Sequence, residues 1–305
     1  MSIFGYSVLF ILGTALGSFL NVVVFRYDPD RHVMKNVHGR SHCMHCNKRL
    51  SWYELIPILS FLIQFGRCRS CGAKLSFQYP LVEILSGAMF VLAAYFLVPV
   101  GRMAEIPYPR LSIWLLAILA LILISVIDFR LRIIPDELNV FIAVLAAANL
   151  FALFVEGGFG AIKEGLYNSP FGAHAAVTGS FLGPSGMLLW PIDNLWLNFI
   201  FGAAFGGVFF GAIYYLSRGR AMGFGDVKFA FAAGLLLGFP DMVVATMIAF
   251  ITGAIFGLFL IAIRRKKSMK DSLPFGPFIA LGIITTVFFG YDLVNGYFRF
   301  FNWLF

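Results

Sequence analysis

Two sets of residues in this sequence have the types and spacing to do chemistry. The first is Cys43-Met-His-Cys46 and Cys68-Arg-Ser-Cys71, which together hold all 4 cysteines of the chain. Two C-x2-C pairs separated by a loop of this length match a structural zinc site, in which thiolates surround the metal tetrahedrally. Disulfides and free thiols are the alternatives, and a reducing compartment disfavours the disulfides. His42 and His45 flank the first pair; either could replace a thiolate, but with four sulfurs at hand they are expected to support the site or lie at the surface. The second set comes from the acidic residues, of which there are only 15. Glu83, Asp128 and Asp226 fall next to long apolar runs, where an ionisable group is costly and is a functional candidate by default. Two carboxylates that share a site do not ionise together easily, so one keeps its proton as an acid while the other acts as a base. Asp128 sits in Ser125-Val-Ile-Asp128-Phe-Arg-Leu-Arg-Ile-Ile-Pro-Asp136, and Asp226 in Gly223-Phe-Gly-Asp226-Val-Lys228. Gly223 and Gly225, without a Cβ, would allow unusual dihedrals and close approach of a peptide. The plainer reading makes both aspartates helix-end residues, Asp226 as a cap and Asp128 paired with Arg130 or Arg132.

The elements that must position these groups are membrane helices. Hydrophobic residues make up 60% of the 305 positions and charged residues 12%, far from the roughly 25% charged of soluble domains. Several windows exceed the ~20 apolar residues that cross a bilayer. Eight spans are predicted, at about Ile3–Phe25, Tyr79–Val98, Leu111–Ile127, Leu138–Val155, Trp196–Leu216, Val227–Phe239, Met242–Ile263 and Phe275–Gly290. The first is read as retained, because its positive charges follow it. The fold class is therefore all-α integral membrane, with a small zinc-binding domain inserted between helices 1 and 2. The expected organisation is a first helix over 1–25, a cysteine-rich domain over 26–78 and a polytopic membrane domain over 79–305, with a long loop at about 156–194.

All but four of the 23 Lys and Arg residues fall in the loops after the odd-numbered spans or, for Lys228, at the very start of the next span; the four are Arg102, Arg110, Lys163 and Arg299. The positive-inside rule then places those loops, the cysteine domain, Asp128 and Asp226 at the cytoplasmic face, and both termini outside. The net charge of +8 follows from this topology and from attraction to anionic lipid. It calls for no nucleic acid; the bilayer is the partner it implies. Asp128 and Asp226 thus share one depth, which a carboxylate pair requires. The short sixth span suggests that its polar start lines a water-reachable cavity.

The chain resembles the type IV prepilin peptidases, membrane aspartyl proteases of the G-x-G-D kind. The resemblance runs through Gly17-Ser-Phe-Leu-Asn-Val-Val-Val-Phe-Arg26, Gly39-Arg-Ser-His-Cys43-Met-His-Cys46 and Trp52-Tyr-Glu-Leu-Ile-Pro57. It continues in Gly66-Arg-Cys68-Arg-Ser-Cys71-Gly72, Tyr79-Pro-Leu-Val-Glu83, Asp128 to Ile134-Pro135-Asp136, Gly223-Phe-Gly-Asp226-Val-Lys228 and Pro274-Phe-Gly-Pro-Phe278. It implies that Asp128 and Asp226 are the catalytic aspartates and that Asp136 is a motif residue. It also implies prepilin and pseudopilin substrates, a bacterial inner-membrane location, and a second activity, N-methylation of the new terminus with S-adenosylmethionine. No nucleotide fingerprint in the sequence points to that cofactor. A peptidase without methyltransferase activity is one alternative, and an Asp-dependent membrane transporter is another. The loop at 156–194, with Trp190 and Trp196 suited to an interface, is longer than expected for the family.

Overall fold

Long apolar runs with few breakers give helices here because a backbone in lipid must satisfy its own hydrogen bonds. The structure is a computed structural model that describes residues 2–29, 39–97, 108–156, 180–182, 194–263 and 273–304. Its regular elements are helical: α1 (Ile3–Arg26), α2 (Leu59–Ile63), α3 (Gln78–Leu97), α4 (Tyr108–Leu131), α5 (Asp136–Glu156), α6 (Leu195–Ser217), α7 (Phe224–Leu237), α8 (Asp241–Ala262) and α9 (Gly276–Leu304). Among the described residues, seven of these helices are long and apolar enough to cross a membrane. The chain divides into two compact units, Met1–Phe96 and Leu97–Phe305.

In the first unit α1 and α3 run antiparallel, and the cysteine module joins them. Small residues let the two backbones close in, as membrane helix pairs require. A Cβ on Gly13 would lie 2.7 Å from the Ser86 carbonyl oxygen, and one on Gly17 would lie 2.8 Å from Ser86 Oγ. At the other end of the pair Phe25 stacks on Tyr79 with ring centroids 4.7 Å apart, and Asn21 Nδ2 donates to the Tyr79 carbonyl at 3.1 Å.

The second unit is a bundle of α4 to α9. Gly202 and Gly206 on α6 meet Gly234 and Ala230 on α7 so closely that an added Cβ would strike main-chain atoms, and Gly282 on α9 meets Ala245 on α8 in the same way. Helix α7 has 14 residues, a length of roughly 21 Å, and is shorter than the ~20 residues of a full span. It still connects the two ends of the bundle. It starts beside Ile134, where a Cβ on Gly225 would lie 3.4 Å from the Ile134 Cβ, and it ends at Gly238 against Asn198 near the start of α6. Of the eight expected spans, seven are helices long and apolar enough to cross a membrane, and the sixth is the short helix α7.

The last helix corrects the sequence reading. The expected span ended at Gly290, whereas α9 runs 29 residues to Leu304. Gly290 and Asp292 resemble stop signals, but Gly290 faces Leu182, whose Cδ2 would lie 3.0 Å from a Cβ there. Most of the long loop at 156–194, Trp190 included, lies outside the described residues. Its described part, Ser180–Leu182, is held by Asp241. That carboxylate is fully buried and accepts from the Phe181 N–H at 2.7 Å, while the Phe181 ring meets Trp114 edge-on at 5.1 Å. Trp196 is half exposed and packs on Phe154.

Candidate active site and metal centre

The two cysteine pairs fold as the same local structure, used twice. In the first, Cys43 N–H donates to Lys48 O, Asn47 N–H to Cys43 O, and Leu50 N–H to Ser41 O. In the second, Cys68 N–H donates to Ala73 O, Gly72 N–H to Cys68 O, and Leu75 N–H to Gly66 O. Each turn needs a left-handed residue just after its second cysteine, and Asn47 (φ 54°) and Gly72 (φ 69°) supply it, as the residue types best suited to that conformation. Isolated bridges His42–Arg49 and Arg67–Lys74 close the two turns.

This pairing brings the Sγ atoms of Cys43, Cys46, Cys68 and Cys71 within 4.8 Å of one another. Cys43 Sγ and Cys71 Sγ are 3.9 Å apart, too far for a disulfide at ~2.05 Å. That spacing is close to the edge of a tetrahedron with Zn–S bonds of ~2.3 Å, which is roughly 3.8 Å. Backbone N–H groups of Cys71 and Ser70 aim at the Cys68 sulfur and bring its thiol down to about 6, which favours the thiolate that a metal needs. At Cys71 the Ala73 N–H acts in the same sense, but desolvation and the other three sulfurs outweigh it and push that thiol up to about 11. Four sulfurs this close repel one another as thiolates unless a cation lies between them, so the donor set fits a metal ion. His42 and His45 are exposed outside the sulfur cluster.

Asp128 and Asp226 come together in the second unit. Asp128 occupies the last turn of α4, and the chain then reverses through Arg132, which adopts a left-handed conformation (φ 56°). Pro135 lies just ahead of α5, where a missing N–H costs nothing. Asp128 is only 4% exposed, and its Oδ2 accepts from the Gly276 N–H at the start of α9 at 2.9 Å. Asp226 is 9% exposed; its Oδ2 accepts from the Gly223 N–H at 3.0 Å, so it caps its own helix. The two carboxylates interact electrostatically, and Arg132 acts on Asp128. Each carboxylate is therefore held through one oxygen by a glycine N–H, which leaves acceptor positions free to engage a water.

Unusual dihedrals, one of the two properties expected of Gly223 and Gly225, are not what they supply. Neither Gly223 nor Gly225 has a positive φ; Gly223 is extended at φ −78°, ψ 158°. Gly225 gives room for the approach to Ile134, and Gly223 supplies the N–H. Gly276 gives both: its N–H reaches Asp128, and a Cβ on it would lie 2.8 Å from Asp128 Oδ2.

Three contributions were not assigned from sequence. Gly276 stood within the quoted Pro274–Phe278 motif without a role. Asp136 and Lys228 form a bidentate ion pair, with Lys228 Nζ 2.8 Å and 2.7 Å from the two carboxylate oxygens of Asp136. It ties the start of α5 to α7, two residues beyond Asp226. Asp241, fully buried at the start of α8, was not singled out. Glu83, which was singled out, lies in the first unit, 5% exposed, and accepts from the Ile58 N–H at 2.7 Å.

A multi-pass membrane protein with two buried, interacting carboxylates at one end of a helical bundle has the architecture of an intramembrane aspartyl peptidase. Comparison with known proteins agrees. Residues 11–97 match the bacterial peptidase A24 N-terminal domain, and residues 176–258, which include Asp226, match the type IV leader peptidase family. A prepilin leader peptidase/N-methyltransferase from Burkholderia pseudomallei (strain 1026b) is 31% identical over 312 residues, covering 94% of this chain and 87% of that protein. One from Bacillus subtilis (strain 168) is 29% identical over 294 residues, covering 96% and 98%. A type 4 prepilin-like proteins leader peptide-processing enzyme from Escherichia coli O78:H11 is 31% identical over 293 residues, covering 90% and 91%. No solved structure matches. The chain belongs to the type IV leader peptidase family, whose members are membrane-bound aspartic peptidases.

Proposed function

We propose that this protein cleaves the basic leader peptide from type IV prepilins and pseudopilins at the cytoplasmic face of the bacterial inner membrane, and then N-methylates the new terminus. The observation that carries the peptidase reading is the pair of glycine-anchored carboxylates, Asp128 on the Gly276 N–H and Asp226 on the Gly223 N–H. One carboxylate, ionised, takes a proton from a water molecule; the hydroxide that forms attacks the scissile carbonyl. The other, protonated, donates to the developing oxyanion. The pair titrates as a unit, so the two parts belong to the dyad and not to either residue. Gly223 and Gly225, at the start of α7, leave backbone free of Cβ atoms where an extended leader peptide would pass.

Methylation rests on the names of the relatives and on their near full-length coverage. S-adenosylmethionine, when bound, supplies an electrophilic methyl group, which the new amine takes up with loss of a proton. Zinc in the four-cysteine cluster has a structural role, since all four ligands come from the protein. Cleavage of a prepilin by purified protein, followed by transfer of label from labelled S-adenosylmethionine, tests the whole reading. Cleavage without transfer reduces it to a peptidase; neither activity would favour a transporter.

The Asp136–Lys228 pair is expected to set the placement of Asp226. Reversal at one position, Lys228→Asp, should lower processing by roughly 5-fold, the equivalent of the ~1 kcal/mol that a partly exposed ion pair contributes at best. The swapped double variant Asp136→Lys/Lys228→Asp should recover most of that loss. A swap no better than the single reversal would show that the pair does not act through its mutual contact.

A further inference from the structure

The first unit contains a cavity of about 280 Å³ that the peptidase chemistry does not use. Its size is near the lower end of the ~300–1,000 Å³ typical of small-molecule sites. Its wall is partly apolar and aromatic, with the stacked Phe25–Tyr79 pair on one side. Two carboxylates also line it, Glu54 and Glu83, and they are 8% and 5% exposed. Glu83 holds the Ile58 N–H with Oε2 and bonds the Ser18 side chain. Glu54 holds the Ser51 N–H at 2.9 Å with Oε2.

A carboxylate has about four acceptor positions, so both retain capacity toward the hollow they line. Two nearly buried carboxylates beside an apolar space favour a cationic occupant, since a buried charge is costly unless paired. Two cationic residues, Arg26 and the exposed Lys74, are also in the lining. Arg26 donates to the Gly39 and Arg40 carbonyls, which orients its guanidinium. An acidic pair, a basic pair and an aromatic wall call for a ligand with a flat ring, a positive centre and a carboxylate. Neither a bare metal ion nor a lipid chain meets all three demands.

We propose that this cavity binds S-adenosylmethionine. Glu54 and Glu83 hold its sulfonium and ammonium end, Arg26 and Lys74 face its carboxylate, and Phe25 and Tyr79 give its adenine an aromatic surface. The assignment rests on the methyltransferase reading above. It also gives the cysteine cluster a second purpose, because Cys43 and Cys68 form part of the same wall. A metal that fixes those sulfurs fixes the shape of the ligand site.

The test is equilibrium binding to full-length protein in detergent, measured by calorimetry with S-adenosylmethionine and with S-adenosylhomocysteine, which lacks the sulfonium charge. Wild-type protein should bind the charged ligand about 10-fold more tightly, a difference of ~1.4 kcal/mol. Glu83→Gln and Glu54→Gln should each bring that ratio toward one. Val22→Phe, which narrows the cavity without touching charge, should weaken both ligands together. Helical circular dichroism and metal content check that each variant is folded, and the three variants fail independently. Wild-type protein that transfers methyl groups while all three folded variants keep the wild-type affinities would place the cofactor elsewhere and overturn the inference. Preserved affinity for S-adenosylmethionine in Glu83→Gln and Glu54→Gln, with lost affinity for a peptide amine, would assign the cavity to the substrate terminus and overturn it too. Wild-type protein that neither binds nor transfers would remove the methyltransferase reading itself, and this inference with it.

Discussion

Asp128→Asn and Asp226→Asn should each lower leader removal by on the order of 10²–10⁴-fold, the span associated with loss of a general acid or base. Asparagine keeps the size of aspartate and an oxygen acceptor. At position 128 it can still receive the Gly276 N–H, now 2.9 Å from Oδ2, and at 226 the Gly223 N–H at 3.0 Å. What it loses is the proton that a dyad must shuttle. Both variants should therefore insert and retain metal while failing to process, and a gel shift of a prepilin in isolated membranes reads the loss. A dyad also predicts non-additivity: the double variant should be scarcely worse than either single one, because groups that act as a unit fail as a unit. Near-normal processing by either single variant would remove the pair from the mechanism. Losses that multiply in the double variant would mean two separate roles instead of one shared proton.

Much of this site was legible because lipid leaves few choices. With 15 acidic residues, those beside apolar runs could be examined one at a time, and the Lys and Arg bias placed Asp128 and Asp226 at one face. The hold of the Gly276 N–H on Asp128 was not legible. A backbone N–H is present at every residue except proline, and nothing in the sequence marks which one will face a carboxylate 148 positions away. The same holds for Lys228 and Asp136, which are 92 positions apart. Asp241 went unremarked for another reason. An aspartate in the first turn of a helix looks like a dipole-favoured residue, and only its burial against Phe181 shows that it fastens the long loop. The end of α9 was missed because Gly290 and Asp292 look like breakers. In a packed bundle a glycine instead marks where something presses close, here Leu182.

The cysteine module shows the opposite balance, since its ligands were plain in the sequence while its dependence on them was not. Among residues 39–77 only Cys43, Glu54 and Cys68 are buried, so the centre of this segment consists of sulfur and one carboxylate. Apolar side chains in the same segment point outward: Trp52 is 78% exposed and Phe65 88%. A segment with no apolar core of its own cannot offset the entropy of ordering its chain. A metal held by the four sulfurs is expected to supply the missing free energy; structural zinc sites give roughly 10–16 kcal/mol of apparent binding energy in small peptides. Cys43→Ser and Cys71→Ser should consequently reduce bound zinc from about one equivalent to a small fraction and expose the Cys43–Leu75 segment to protease. The helices of the second unit should stay resistant, because their packing involves no cysteine. Chelation of the wild-type protein should give the same cleavage pattern, and added zinc should reverse it. Asp128→Asn serves as the control that keeps its metal. Intact protein without zinc by elemental analysis, or an unligated module as protease-resistant as the wild type, would show that the paired turns hold themselves together.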